Sequence, residues 1–342
     1  MRLLHSSLAA TAIALALAAG DASAQFTNIF FFGDSLTDSG SFKPVLPPGT
    51  GLFTTNPGPV WSQVVAQHYG LTAVPADQGG TNFAQGGARV TGLPGVPNSP
   101  PTGTATPIAA QVAQLVSAGP LDSGALYSVW GGANDIFFQL GALGAGAITP
   151  MDLQTNVGAA AAQLVQQVGF LHAAGARNII VFNLPDIGKS PFGIASGQSA
   201  QISAITGLYN STLIGGLDAL GAPTIRFNVA ALLNEVIANP SAFGIANVTT
   251  PACGTTPSLI CTSANFVAPN AASSFLFADG VHPTTATHAL IAQAVESTIE
   301  GPSKIGVLAE APLAVEQATF RAVDSRMISG LNAPGEAHKI AP

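Results

Sequence analysis

A hydroxyl, an imidazole and a carboxylate stand in two short segments near opposite ends of this 342-residue chain. Together they make up the chemistry of nucleophilic attack on a carbonyl. In Phe31-Phe32-Gly33-Asp34-Ser35-Leu36-Thr37-Asp38 an apolar run stops at glycine and Ser35 follows at once, and in Asp279-Gly280-Val281-His282-Pro283 a carboxylate precedes an imidazole by three residues. A serine hydroxyl is a poor nucleophile at neutral pH, so it needs an imidazole to take its proton and a third group to hold that ring. Ser35, His282 and Asp279 fit these roles as nucleophile, base and orienting carboxylate. Pro283 suits the first position of a helix, which places His282 at the N-cap, where the helix dipole disfavours imidazolium and Asp279 favours it. His5, His68, His172, His288 and His338 read as structural or lie outside the domain.

Acyl transfer also needs donors for the developing oxyanion. At a strand-to-helix turn the Ser35 N–H can supply one. Thr81-Asn82-Phe83-Ala84-Gln85-Gly86-Gly87-Ala88 ends in two glycines, which let backbone approach a bound oxyanion closely. Gly131-Gly132-Ala133-Asn134-Asp135 follows another apolar run, and the Asn134 amide offers a further hydrogen bond.

Such groups must be held by a scaffold, and the chain alternates apolar runs with segments of helical period, the pattern of a parallel sheet covered on both faces by helices. Five strands are expected: Asn28 to Phe32, Thr81 to Ala84, Leu126 to Trp130, Asn178 to Leu184 and Thr224 to Val229. Thr106-Pro107 and Thr149-Pro150 open helices; Gly119, Gly175, Gly221 and Gly301 close them. The last helix is expected from Pro283 to Gly301. Long connections at 37–58, 91–105 and about 240–277 point to function or mobility. In such a sheet, ligands bind beyond the carboxyl ends of the strands, where strand order reverses.

Residues 1–24 read as a secretory signal peptide, with Arg2 ahead of the apolar stretch 8–19 and Ala22-Ser23-Ala24 as a cleavage site. That stretch is shorter than the roughly 20 residues a membrane-spanning helix needs, and no other segment qualifies. A net charge of −7, from 10 basic and 17 acidic residues, offers no basic stripe for nucleic acid. Cys253 and Cys261, the only cysteines, are expected to pair in an oxidising compartment. No metal-ligand spacing, Gly-x-Ser-x-Gly elbow or complete P-loop occurs; at the Gly188-Lys189-Ser190 match, Asn183 stands where the first P-loop glycine belongs.

With its four segments in that order, the chain resembles the GDSL esterase/lipase family, also called SGNH hydrolases, from residue 29 to about 300. The resemblance implies a three-layer α/β/α sandwich related to flavodoxin, with a central parallel sheet of about five strands and no cofactor. It implies Ser35 as nucleophile, His282 as base, Asp279 as its orienting group, and an oxyanion hole of Ser35, Gly86 and Asn134. Gly87 is the alternative to Gly86, since adjacent glycines leave the register open by one. The expected reaction is hydrolysis of a small-molecule or lipid ester, with phospholipid, lysophospholipid or glycan-acetyl esters as alternatives. Phe137 and Phe138, just past Asn134, favour an apolar acyl group. A non-catalytic surface module is the reading from another class, and the complete set of five site residues argues against it. The chain also resembles passenger domains of bacterial autotransporter esterases. Residues 25–301 form the expected domain and 302–342 a tail, in which 311–328 resemble the linker ahead of a barrel. The expectation is an exported protein, freely secreted or associated with an outer membrane.

Overall fold

The computed structural model describes residues 25–304, so the expected signal peptide and linker lie outside the described residues. The chain divides into two compact units, 1–293 and 294–342. In the second, residues 294–304 are helical. No helix among the described residues is long and apolar enough to cross a membrane.

Four parallel strands form the sheet in the order β1 (Ile29–Gly33), β2 (Leu126–Trp130), β3 (Asn178–Phe182) and β4 (Ile225–Phe227). Ile29 pairs with Leu126, Leu126 with Asn178, and Val181 with Arg226. Side chains alternate across a strand, so Phe31, Trp130, Phe182 and Phe227 share one face. Trp61 of helix α1 (Trp61–His68) covers that face, its ring 5.6 Å from Phe31 and 4.7 Å from Phe182. Helix α2 (Ile108–Val116) packs beside β1, and α4 (Pro150–Ala173) packs against α2, α3 (Ala133–Gly144) and α5 (Ser199–Leu220). Thr149-Pro150 opens α4 as expected, and Thr149 and Asp152 bond reciprocally there. Tyr209 is buried on α5 toward the sheet end, and its hydroxyl donates to Gly131 O at 2.8 Å.

The expected strand Thr81 to Ala84 is only partly regular. It runs along the free edge of β1, where Phe31 N–H donates to Thr81 O and Phe83 N–H to Phe31 O, yet Asn82 alone forms a bridge. The reason is the Asn82 side chain, which accepts from Ala84 N–H and donates to Thr37 O, so side-chain bonds replace ladder bonds. The segment still matters to topology. From β1 the chain steps to one edge and then back past β1 to β2, so the reversal of strand order, where ligands bind, lies at the ends that carry Ser35 and Asn134.

A second correction concerns the last helix, which begins at residue 285. Pro283 instead bridges Phe277 in a small antiparallel turn, with Ala278 N–H donating to His282 O and Thr284 N–H to Leu276 O. His282 therefore precedes the helix and is not its N-cap; the Thr284 hydroxyl accepts from Thr287 N–H in that position. His288 is buried on this helix and accepts the Trp61 N–H, as a structural histidine does.

The turn after β1 requires its small residue, because a Cβ on Gly33 would meet Trp130 O at 2.4 Å. Asp34 closes the turn, its carbonyl accepting from Thr37 and Asp38 N–H and its Oδ1 from Leu36 N–H, while Oδ2 is buried without a protein partner among the described residues. Burial pushes this carboxyl from 3.8 up to about 7, against the Leu36 bond and the nearby His282 ring. The folded state thus holds the proton more tightly than the unfolded chain, so Asp34's contribution to stability is complete at low pH and is lost as pH rises through about 7. A displacement of that size corresponds to a loss on the order of a few kcal/mol. Asp34→Asn is expected to remove this slope when denaturant unfolding is measured from about pH 4 to pH 8; parallel curves for the two proteins would contradict the assignment.

Candidate active site

Ser35 ends the β1 turn and is 8% exposed. Its Oγ lies 2.9 Å from His282 Nε2, a contact spanning 247 positions of sequence. The other ring nitrogen, Nδ1, is 2.9 and 2.8 Å from the two oxygens of Asp279. An ionised carboxylate only accepts, so Nδ1 carries the hydrogen and Nε2 is left to receive the Ser35 proton. Asp279 also accepts from Val281 N–H, His282 N–H and Ser258 N–H. Burial acts to raise this carboxyl, but the His282 ring, Ser258 and Val281 outweigh it and hold Asp279 well below the usual carboxylate range.

Ser258 was not apparent from the sequence as part of this arrangement. It sits in the loop closed by the Cys253–Cys261 disulfide, whose Cα atoms are 6.0 Å apart and whose side chains are buried against Ala278 and Phe266. The same loop meets residues 51–56 through Gly51 N–H to Leu259 O and Asn56 Nδ2 to Ser258 O. Phe53, from that stretch, lays its ring 5.1 Å from the His282 ring.

The donors around Ser35 depart from expectation at one position. Gly86 N–H is committed to the buried Asp38 Oδ2 at 2.9 Å. The alternative, Gly87, borders the cavity beside Ser35 with φ of +87° and, like Ser35, has an N–H that meets no acceptor among the described residues. The two glycines answer different constraints: a Cβ on Gly86 would meet the Phe53 ring at 2.0 Å, whereas Gly87 needs the left-handed region. Asn134 borders the same cavity and donates one amide hydrogen to Ala88 O at 3.0 Å, leaving the second for a ligand. Asp135 accepts from Val90 N–H and Arg89 Nε, so the turn 86–90 is tied to the start of α3 as well.

The cavity at Ser35 has a volume of about 600 Å³ and a largely apolar lining that includes Phe137, Leu140, Leu143, Ile187, Phe192 and Leu233. Phe137 meets Phe192 edge to face at 5.3 Å. Phe138, expected beside it at the rim, does not line the cavity. Its ring lies under the Arg89 guanidinium at 3.8 Å, because successive helix residues point about 100° apart. Among the described residues no group of three His, Cys, Asp or Glu side chains is placed to hold a metal ion.

The chain is similar to several known proteins. The chain is 30% identical to Esterase EstA of Pseudomonas aeruginosa, over 91% of this chain and 52% of that protein. It is 25% identical to Lipase 1 of Photorhabdus luminescens, over 96% and 58% of the two chains, and 25% identical to a phosphatidylcholine-sterol acyltransferase of Aeromonas hydrophila, over 84% and 94%. The chain thus spans little more than half the length of the first two relatives. The model of the family described as GDSL-like lipase/acylhydrolase matches residues 29–295, the stretch that begins at β1 and runs past His282. A match of that extent means that the chain belongs to the GDSL-like lipase/acylhydrolase family.

Proposed function

We propose that this protein is an exported serine esterase that hydrolyses carboxylic esters with apolar acyl chains through an acyl-enzyme on Ser35. One observation carries the reading: the line from Ser35 Oγ through His282 to Asp279 opens onto an apolar cavity of about 600 Å³. In the first half-reaction Ser35 Oγ bonds to the ester carbon as His282 Nε2 takes its proton. The carbonyl oxygen gains the negative charge, and the N–H groups of Ser35 and Gly87 with the Asn134 amide stabilise it. Collapse breaks the bond to the alcohol, which leaves with the proton from His282. A water molecule then attacks the acyl-serine, giving its proton to the same nitrogen, and the acid departs as Ser35 regains its hydrogen. Asp279 stays ionised throughout and keeps Nε2 facing Ser35. Export is supported by the reading of residues 1–24 as a signal peptide and by the disulfide.

An apolar cavity of this size favours an acyl chain over an acetyl group on a sugar. A chain carried by a phospholipid is the second reading, favoured by the same cavity and by the similarity to a phosphatidylcholine-sterol acyltransferase.

Ser35→Ala is expected to fold, with unchanged circular dichroism, and to lose at least about 10³-fold in p-nitrophenyl ester hydrolysis. Retention of more than a few per cent of activity would exclude Ser35 as the nucleophile. For the substrate, each buried methylene is worth up to about 0.8 kcal/mol, or roughly fourfold in kcat/KM. Across acetyl, butyryl, octanoyl and dodecanoyl esters, kcat/KM is expected to rise by more than about tenfold from butyryl to octanoyl; a maximum at acetyl would reject the apolar-acyl assignment.

A further inference from the structure

Asp38 lies three residues beyond Ser35 and is fully buried, yet the reaction above gives it no task. Its two oxygens do separate things. Oδ1 accepts from Gly40 N–H at 2.8 Å and Ser41 N–H at 2.7 Å, which folds its own turn. Oδ2 accepts from Ser41 Oγ at 2.6 Å and, across 48 positions of sequence, from Gly86 N–H at 2.9 Å. A residue needed only to shape the 38–41 turn requires Oδ1 alone. The second oxygen joins the turn that carries the nucleophile to the turn that carries Gly87.

We propose that Asp38 is a positioning residue for the oxyanion site: by holding the Gly86 N–H it directs the Gly87 N–H at the carbonyl oxygen and fixes its distance from Ser35. The inference rests on the esterase reading. Adjacent glycines give two N–H groups that a bound oxyanion could recruit. The Asp38 bond removes the first of them from contention, and the Phe53 ring packed on Gly86 keeps that turn from rotating. From the other side, Asn134 holds Ala88 O and Asp135 holds Val90 N–H, so the Gly87 N–H is clamped between anchors on two strand ends.

The test uses two variants of similar local effect. In Asp38→Asn, the amide orientation that keeps both Oδ1 bonds presents an NH₂ group to Gly86 N–H, so donor faces donor. Ser41→Ala removes the 2.6 Å bond to the same oxygen but leaves the Gly86 bond intact. With a p-nitrophenyl ester, Asp38→Asn is expected to lower kcat by about 10- to 100-fold, KM staying within about twofold, since misplacing a donor costs somewhat less than the 10²- to 10³-fold of deleting one. Ser41→Ala is expected to lower the melting temperature while keeping kcat within about threefold. Equal losses of kcat in both, or none in Asp38→Asn, would overturn the proposal. Should Asp38→Asn fail to fold, the native protein decides. On glycine-labelled protein, a phenylboronic acid that forms a tetrahedral adduct with Ser35 is expected to shift the Gly87 amide proton downfield and leave that of Gly86 in place; the reverse would refute the inference. Absence of any adduct would instead refute the esterase reading, and the inference with it.

Discussion

Removing a carboxylate from water costs several kcal/mol unless donors replace its hydration, and the donors must then stay where the carboxylate is. Two buried carboxylates, Asp38 and Asp135, and the partly buried Asp279 impose this constraint around Ser35. Asp279 gathers Ser258, Val281 and His282; Asp38 gathers Gly40, Ser41 and Gly86; Asp135 gathers Arg89 and Val90. Each group joins segments that the sheet alone does not connect. Without these bonds the strand ends would still converge, but the loops carrying His282 and Gly87 would be free to shift by the ångström that separates a productive hydrogen bond from none.

The long connections acquire a purpose in the same terms. Residues 240–277, irregular in sequence, contain the disulfide-closed loop that brings Ser258 to Asp279, and residues 51–56 are bonded to that loop and place Phe53 against both His282 and Gly86. Cross-linking a short loop limits the freedom of the unfolded chain. Here it also gives a stretch without regular secondary structure a fixed edge beside the Asp279 carboxylate that holds the His282 ring. The side of the site around His282 and Asp279 is therefore built from loops, and its rigidity comes from polar bonds and one covalent link.

Much of this was legible in the sequence because the decisive residues lie next to strong local signals. Ser35 and Asn134 follow apolar runs that become β1 and β2, and Asp279 precedes His282 by a spacing that allows contact within one turn. The differences arise where side chains compete with backbone periodicity. Asn82 diverts the edge strand, Thr284 takes the cap that Pro283 suggested for His282, and Phe138 turns to Arg89 while Phe137 faces the cavity. Gly86 and Gly87 could not be separated by spacing alone, since what distinguishes them is Asp38 and Phe53, both remote in sequence from the glycines. Ser258 carried no signal at all, because it acts through its backbone N–H, which every residue but proline possesses.

The charges themselves show where burial works against stability. Only 8% of residues are charged, and four aspartates are gathered around one hydroxyl. Burial pushes Asp34, Asp38 and Asp135 upward, so a rise in pH ionises groups that the fold holds more comfortably as acids. Asp279 moves the other way and is ionised well before them. The donors to Asp38 and Asp135 limit the cost of ionising them, whereas Asp34 Oδ2 has no protein donor among the described residues. Asp34 is thus the member of the set at which the fold concedes stability to keep a tight turn beside Ser35.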